Sequence, residues 1–326
     1  MKAILVEKPG GSENLKFGTA AKPIINENEI LVKVKAAGLN RADIMQRQGK
    51  YPPPKGASEL LGLEFSGEVA ELGKNVSKWK VGDKVFGLIP GGGYAEFAKI
   101  HQDMAIEKPD ELSFEEAAAI PEVFLTAYQA LFWNAAIKKD YYVLIHAGGS
   151  GVGTAAIQIV KNAEAHAIIT ASKGKHKFCS ELGAEKTIDY KSQRFDDEVL
   201  KFTNGKGVDI IIDFIGADYF EKNIRCLNQN GKLVSLATLG GAKIKEVDIR
   251  KIMSRWISII GSTLRTRDLE YQINLTEEFA DYSLEKFKTG KLKPVVDKIF
   301  NWEDVAEAHE YLEANKNIGK LVLRMD

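Results

Sequence analysis

The chain has 326 residues, a length that suits two domains better than one small core. Its 44% hydrophobic and 28% charged residues exclude a disordered or membrane-embedded composition. Forty-five Lys and Arg balance forty-five Asp and Glu, so the zero net charge favours neither nucleic acid nor an acidic membrane surface as a partner.

The N-terminal "MKAILVEKPGG" carries an apolar run too short for a signal peptide and lacks the Arg and Ser of a transit peptide. The first hundred residues read as strands between turns. "EILVKVKAAGL" (Glu29 to Leu39) and "GLEFSGEVAEL" (Gly62 to Leu72) alternate apolar with polar residues, and "KPGG", "YPPPKG", "VGDK" and "IPGGG" punctuate them. An antiparallel, barrel-like domain is predicted. Near Pro121 the texture changes. "EVFLTAYQALFWNAA" is an apolar helical segment, and after it strand and helix alternate through "YVLIHA", "HAIITA", "KTIDY", "VDIIIDFI", "GKLVSLA" and "WISIIGST". Near-continuous apolar strands of this kind predict a parallel sheet covered on both faces. Beyond Arg267 come a long helix (Leu269 to Thr289), a second helix (Trp302 to Ala314) and a strand, "GKLVLRM", which the pattern returns to the first domain. No run approaches the length of a membrane span. Two cysteines, Cys179 and Cys226, form no CxxC pair, which fits a reducing compartment and predicts a cytoplasmic protein.

The chemistry concentrates at "HAGGSGVGTAA", His146 to Ala156. A dinucleotide fingerprint must follow a strand, open a helix and bring backbone N–H groups to a pyrophosphate. "YVLIHA", "GGSGVG" and "TAAIQIVKNA" meet each condition. Aligned on Gly151-Val152-Gly153, the middle fingerprint glycine is Ser150, whose hydroxyl is able to donate to phosphate. A bare tight turn is the alternative, but alternating strand–helix units around the loop favour the cofactor. An enzyme for NAD usually carries an acid at the end of the second strand. Here that region reads "IITASKGKHK": Ser172, Lys173 and Lys175 occupy it, and no acid appears before Glu181. Hydroxyl and ammonium groups suit a 2′-phosphate, so NADPH is the expected cofactor.

With these residues in hand, the chain resembles the medium-chain dehydrogenase/reductase superfamily from end to end. Within it the chain is similar to the zinc-independent, zeta-crystallin-like quinone oxidoreductases. The matching stretches are "GLNRADIMQRQGKYP", "LGLEFSGEVAELG", "AAAIPEVFLTAYQAL", the glycine loop, "GSTLRTR" and "NKNIGKLVL"; "HAGGSGVGTAAIQ" and "EANKNIGK" are most like the stress-inducible mammalian branch. The resemblance implies an α/β chain: a GroES-like β-rich domain from 1–121 with 266–326, and a doubly wound Rossmann domain from 122–265. It also implies an active site in the cleft and a homodimer joined through Rossmann edge strands. In zinc alcohol dehydrogenases of the superfamily a Cys stands at the position of Asn40 and a His at that of Leu63, and the structural zinc lobe has no counterpart here. Independently, the five histidines show no ligand-like spacing, so no metal is expected.

By the same resemblance Asn40, Tyr51 and Thr126 line the nicotinamide end, with Tyr51 and Asn40 the catalytic candidates. Gly148, Ser150, Gly151, Val152 and Gly153 hold the pyrophosphate, Ser172, Lys175 and Tyr190 face the 2′-phosphate, and Leu264 and Arg265 lie along the cofactor. Plainer roles stay open: Asn40 as cap of the helix "NRADIMQRQ", Tyr51 as anchor of the Pro-rich turn, and Arg41 with Asp43 as a surface pair. The expected reaction is metal-free, NADPH-dependent reduction of a small-molecule quinone, with Tyr51 orienting the acceptor. The alternatives are reduction of an activated C=C bond, as in 2-alkenal or enoyl reductases, and a non-enzymatic NADPH-binding sensor or RNA-binding protein. The absence of aromatic–basic interleaving weighs against RNA.

Overall fold

The computed structural model describes residues 1–325 and divides into two compact units, Met1–Leu125 with Leu264–Asp326, and Thr126–Thr263. The first unit opens with β1 (Lys2–Val6) and β2 (Leu15–Thr19), an antiparallel pair. It continues through β3 (Glu29–Gly38), α1 (Arg41–Arg47), β4 (Glu64–Leu72), β5 (Lys84–Leu88), β6 (Phe97–His101), β7 (Ala105–Glu107) and α2 (Phe114–Ala118). The chain passes to the second unit within α3 (Pro121–Tyr128), which runs on into a π-helical turn over Gln129–Asn134.

The predicted alternation in "GLEFSGEVAEL" holds only in part. The first four residues of β4, from Glu64 to Gly67, are all buried, because β3 and β5 flank the strand and α2 packs on it. A carboxylate is therefore carried into the interior, and its partner comes from the far end of the chain.

The second unit is a six-stranded sheet, β8 (Tyr142–Ile145), β9 (His166–Ala171), β10 (Lys186–Asp189), β11 (Val208–Asp213), β12 (Leu227–Ser235) and β13 (Ser258–Gly261). Every pairing is parallel, in the order β10-β9-β8-β11-β12-β13. Strand order thus grows outward from β8 in both directions, the doubly wound Rossmann pattern. Helices α4 (Gly151–Asn162), α5 (His176–Leu182), α6 (Phe195–Phe202), α7 (Ala217–Cys226) and α8 (Ile249–Met253) link the strands. The apolar strands supply a core in which Leu144, Ile168, Ile188, Val199 and Ile211 are almost wholly excluded from solvent.

The chain then returns to the first unit through α9 (Leu269–Lys288), β14 (Val296–Asn301), α10 (Val305–Glu313) and β15 (Lys320–Arg324). Strand β15 pairs antiparallel with β3 and parallel with β14, so the first sheet joins both ends of the sequence. No helix of the described residues is long and apolar enough to cross a membrane.

Candidate functional site

In the second unit, the loop between β8 and α4 is shaped by what its residues lack. Ala147 takes a left-handed φ of 51°, which turns the chain sharply after His146. A Cβ on Gly153 would lie 2.4 Å from the Ala147 carbonyl oxygen, so only glycine lets the first helical turn close on the loop. A Cβ on Gly149 would meet Lys175 Cδ at 2.6 Å, and one on Gly148 would meet Ile169. The aliphatic stem of Lys175 therefore lies over the glycine loop, which brings the two sequence-predicted stretches together. Ser150 is the N-cap of α4: its Oγ accepts from Gly153 N–H at 3.0 Å. With that donor satisfied, and Thr154 N–H bonded to Ser150 O, the amides of Gly151 and Val152 have no intrahelical acceptor. Two N–H groups are thus left as donors at the positive end of a twelve-residue helix dipole.

Beneath the loop His146 is fully buried. Its Nε2 lies 2.8 Å from Asn223 Oδ1 and its Nδ1 3.0 Å from Thr170 Oγ1, and burial lowers its pKa to about 4, so the ring is neutral. It ties β9 and α7 to the strand that ends in the loop. Ser172 and Lys175 flank a single helical turn after β9, both half-buried, and Tyr190 is exposed just beyond β10. Thr126 is half-buried on α3.

In the first unit, Asn40 precedes α1 as its N-cap, but its side chain is spent elsewhere. Nδ2 donates to Glu64 Oε1 at 2.8 Å, and Oδ1 accepts from Lys320 Nζ at 2.7 Å. Lys320 Nζ also meets Glu64 Oε1 at 2.6 Å and the Leu39 carbonyl at 2.5 Å. The other Glu64 oxygen accepts from the backbone N–H of Glu122 at 2.8 Å. This fully buried ion pair is thus satisfied on every side, the condition under which burying charge is tolerable. Asp43 accepts the N–H groups of Asn40 (2.8 Å) and Gly62 (3.1 Å) and the Tyr94 hydroxyl (3.2 Å); burial raises its pKa to about 6 against those bonds.

The Arg41–Asp43 surface pair, one of the plainer roles left open, is not present. Asp43 is completely buried, and Arg41 instead donates to Leu312 O and Asn315 Oδ1, because i,i+2 residues on a helix point to different faces.

Tyr51 is half-buried, and the guanidinium of Arg265 sits 5.1 Å from its ring centroid, a cation–π contact. Arg265 donates twice to Pro90 O, at 2.9 and 2.6 Å, and once to Gln46 Oε1 at 2.6 Å. Its Nη1 is buried without a partner, and Leu264 beside it is buried too. Burial and Glu122 push the Tyr51 phenol above its ordinary pKa, with Arg265 opposing, so the hydroxyl stays protonated. Arg265 and Glu122 share a narrow cleft with Leu63, Leu88, Ile89, Pro90 and Gln272. Sequence reasoning overlooked Glu64, Glu122 and Lys320. Of the three only Glu122 carried a signal, as the lone acid inside the apolar run "AAAIPEVFLTAYQAL".

Residues 26–110 match the family described as alcohol dehydrogenase GroES-like domain, and residues 182–323 the family described as zinc-binding dehydrogenase. The chain is 32% identical over 330 residues to a human quinone oxidoreductase, covering 99% of this chain and 97% of that protein. It is 31% identical over 337 residues to the zebrafish (Danio rerio) synaptic vesicle membrane protein VAT-1 homolog, covering 99% and 69%. Among solved structures, Escherichia coli quinone oxidoreductase complexed with NADPH superposes with a TM-score of 0.89 at 29% identity over the whole of both chains. The CurK enoyl reductase gives the same score at 29% identity, covering 100% and 99%. A GroES-like domain and a Rossmann sheet in one chain, with quinone oxidoreductase relatives along its full length, make this protein a member of the medium-chain dehydrogenase/reductase superfamily.

Proposed function

We propose that the chain is an NADPH-dependent oxidoreductase that reduces a quinone without a metal. The observation that carries the reading is the glycine loop: two helix-terminal amides without intrahelical acceptors, glycines whose neighbours leave no room for a Cβ, and Lys175 laid against Gly149. A dinucleotide fits these residues. The amides of Gly151 and Val152 would hold the pyrophosphate, and Ser172, Lys175 and Tyr190 the adenosine 2′-phosphate, in a region without a carboxylate before Glu181. The complex of the E. coli relative with NADPH supports the same choice.

A catalytic zinc does not fit. Asn40 has its amide committed to Glu64 and Lys320, and Leu63 has no donor atom. The bound nicotinamide supplies a hydride, and the chain's part is to bind, orient and protonate. Tyr51, protonated and held over Arg265, orients the acceptor and donates a hydrogen bond to its oxygen. Asn40, Thr126 and Leu264 keep the cofactor-side roles implied by the resemblance.

The resemblance to CurK supports a second reading, reduction of a C=C bond conjugated to a carbonyl. The test is steady-state NADPH consumption with a quinone and with an enal. Faster turnover of the quinone sustains the first reading and faster turnover of the enal the second. Binding of NADPH without consumption by either leaves the sensor role. A homodimer belongs to the same proposal. Strand β13 ends the sheet beside exposed Met253, Trp256 and Ile259, and a bare apolar edge calls for cover. Light scattering in solution tests it, and fractionation tests the cytoplasmic location.

A further inference from the structure

One carboxyl in the first unit has no assigned work. Glu122 opens α3 directly after Pro121, and its backbone N–H is fixed by Glu64. Its side chain has no hydrogen-bond or ion-pair partner among the described residues, yet neither oxygen is a buried, unsatisfied atom. The carboxyl is therefore half-buried in the wall of the cleft it lines with Arg265. Arg265 is nine-tenths buried, and its Nη1 amino group has no well-aligned acceptor in the protein, although the guanidinium also interacts with the Tyr51 phenol. A buried cationic donor left without a partner is costly, and such a group next to an uncommitted carboxyl is arranged for a ligand oxygen. Leu63, Leu88, Ile89 and Pro90 make the rest of the cleft wall apolar, and the cleft is narrow, so an acceptor's carbonyl end would enter it rather than a whole ring.

We propose that Glu122 and Arg265 form the acceptor subsite, in which Arg265 takes the acceptor's carbonyl oxygen and Glu122 gives the proton. The assignment rests on the reductase reading above. A hydride from a bound nicotinamide would form a C–H bond at the β-carbon of an enal as its C=C π bond breaks, or an O–H bond at one oxygen of a quinone as that C=O π bond breaks. In either case negative charge would collect on the acceptor's other or conjugated oxygen. Arg265 meets that charge. The O–H bond of Glu122 then breaks, the proton passes to the acceptor anion, and solvent reprotonates the carboxylate. The charges facing Glu122 suit the role: burial first, then Glu64 and Asp43, hold it protonated against Lys320 and Arg265, and Tyr51 adds a neutral phenol. Its pKa is raised to about 7, where a group both gives up and regains a proton readily.

The test uses the full chain with Glu122→Gln, which keeps shape, and Arg265→Met. With NADPH and the better acceptor, wild-type kcat should fall about tenfold per pH unit above neutrality. Glu122→Gln should lower kcat about a hundredfold at pH near 6 and flatten the profile. A binding arm needs no turnover: 2,4-dinitrophenolate, an anion throughout this range, should bind wild type more weakly as Glu122 ionises. Glu122→Gln should bind it without that pH dependence, and Arg265→Met about tenfold more weakly. Wild-type kinetics and unchanged probe binding in both variants overturn the subsite while the reductase stands. Variant-sensitive probe binding without turnover of any acceptor leaves the subsite and removes the reductase.

Discussion

The glycine loop of the second unit and the polar cluster of the first solve opposite problems. The loop is made of backbone: its donors are main-chain amides, and its specificity lies in side chains that are missing. The cluster is made of side chains gathered from Asn40, Asp43, Glu64 and Lys320, joined by the Glu122 backbone N–H, and its partners lie up to 280 residues apart in sequence. A backbone site fits within eleven consecutive residues and stays readable there. A side-chain site exists only once the sheet has brought β15 to β3, and every member it lacks leaves another buried and unmatched.

That contrast makes the cluster the more fragile region. Lys320→Met removes three contacts at once and strands the Glu64 carboxylate, so unfolding in urea should show a loss of about 3–5 kcal/mol. Lys320→Met combined with Glu64→Gln should recover most of it, because a neutral amide needs no counter-charge. Non-recovery would mean that packing rather than charge governs the site.

Glu122 gives the cluster a pH signature. Its folded pKa of about 7 exceeds its ordinary 4.5, so the folded state binds the extra proton between those values. Stability should therefore fall as pH rises through that window, by about 3 kcal/mol in total. Glu122→Gln should flatten the slope above pH 6, beyond the range in which buried Asp43 contributes, and be the more stable protein at pH 8, although it is the less active one. An unchanged slope would remove the buried-acid account.

The loop should fail differently, in binding before stability. Gly153→Ala drives a methyl into two backbone carbonyls and should weaken NADPH and NADH alike, by about 2 kcal/mol or thirtyfold. Gly174→Ala, whose Cβ would meet nothing within 4 Å, is the matched control and should do nothing. Lys175→Ala should cost about tenfold for NADPH and almost nothing for NADH, since one charge-assisted contact to the 2′-phosphate is lost. Calorimetry with both cofactors checks the pair, and equal losses in Lys175→Ala would show that the lysine does not read that phosphate.

The same division explains what the sequence revealed. The six parallel strands were legible because each is a short apolar run with its own turn signals, and the loop because its glycines, strand and helix are contiguous. The burial of Asp43, read as one half of a surface pair, was not legible. Nothing near it announces that Gly62 and Tyr94 fold over to supply its donors. Glu64 was hidden by an alternating pattern that fits a half-exposed strand, whereas β4 begins between two others. Lys320 drew no reading at all because its partner is a carboxylate 256 residues earlier in the chain.

Ser150 offers the smallest and sharpest test, because it stands where both kinds of chemistry meet. It replaces the fingerprint's middle glycine, and its Oγ accepts from Gly153 N–H as the cap of α4. The same hydroxyl keeps its proton, so one group is able to cap the helix and donate to a phosphate. Two substitutions separate these roles. As a cap, Ser→Ala costs about 1 kcal/mol, whereas Ser→Gly costs only a few tenths, because glycine lets water reach the exposed amide. As a phosphate donor, the hydroxyl is lost equally in both. Ser150→Ala should thus lower the urea midpoint visibly and Ser150→Gly barely, while both weaken NADPH by the same few-fold amount. If Ser150→Gly instead binds NADPH as well as wild type, the hydroxyl serves the helix alone and the pyrophosphate is held by the amides of Gly151 and Val152.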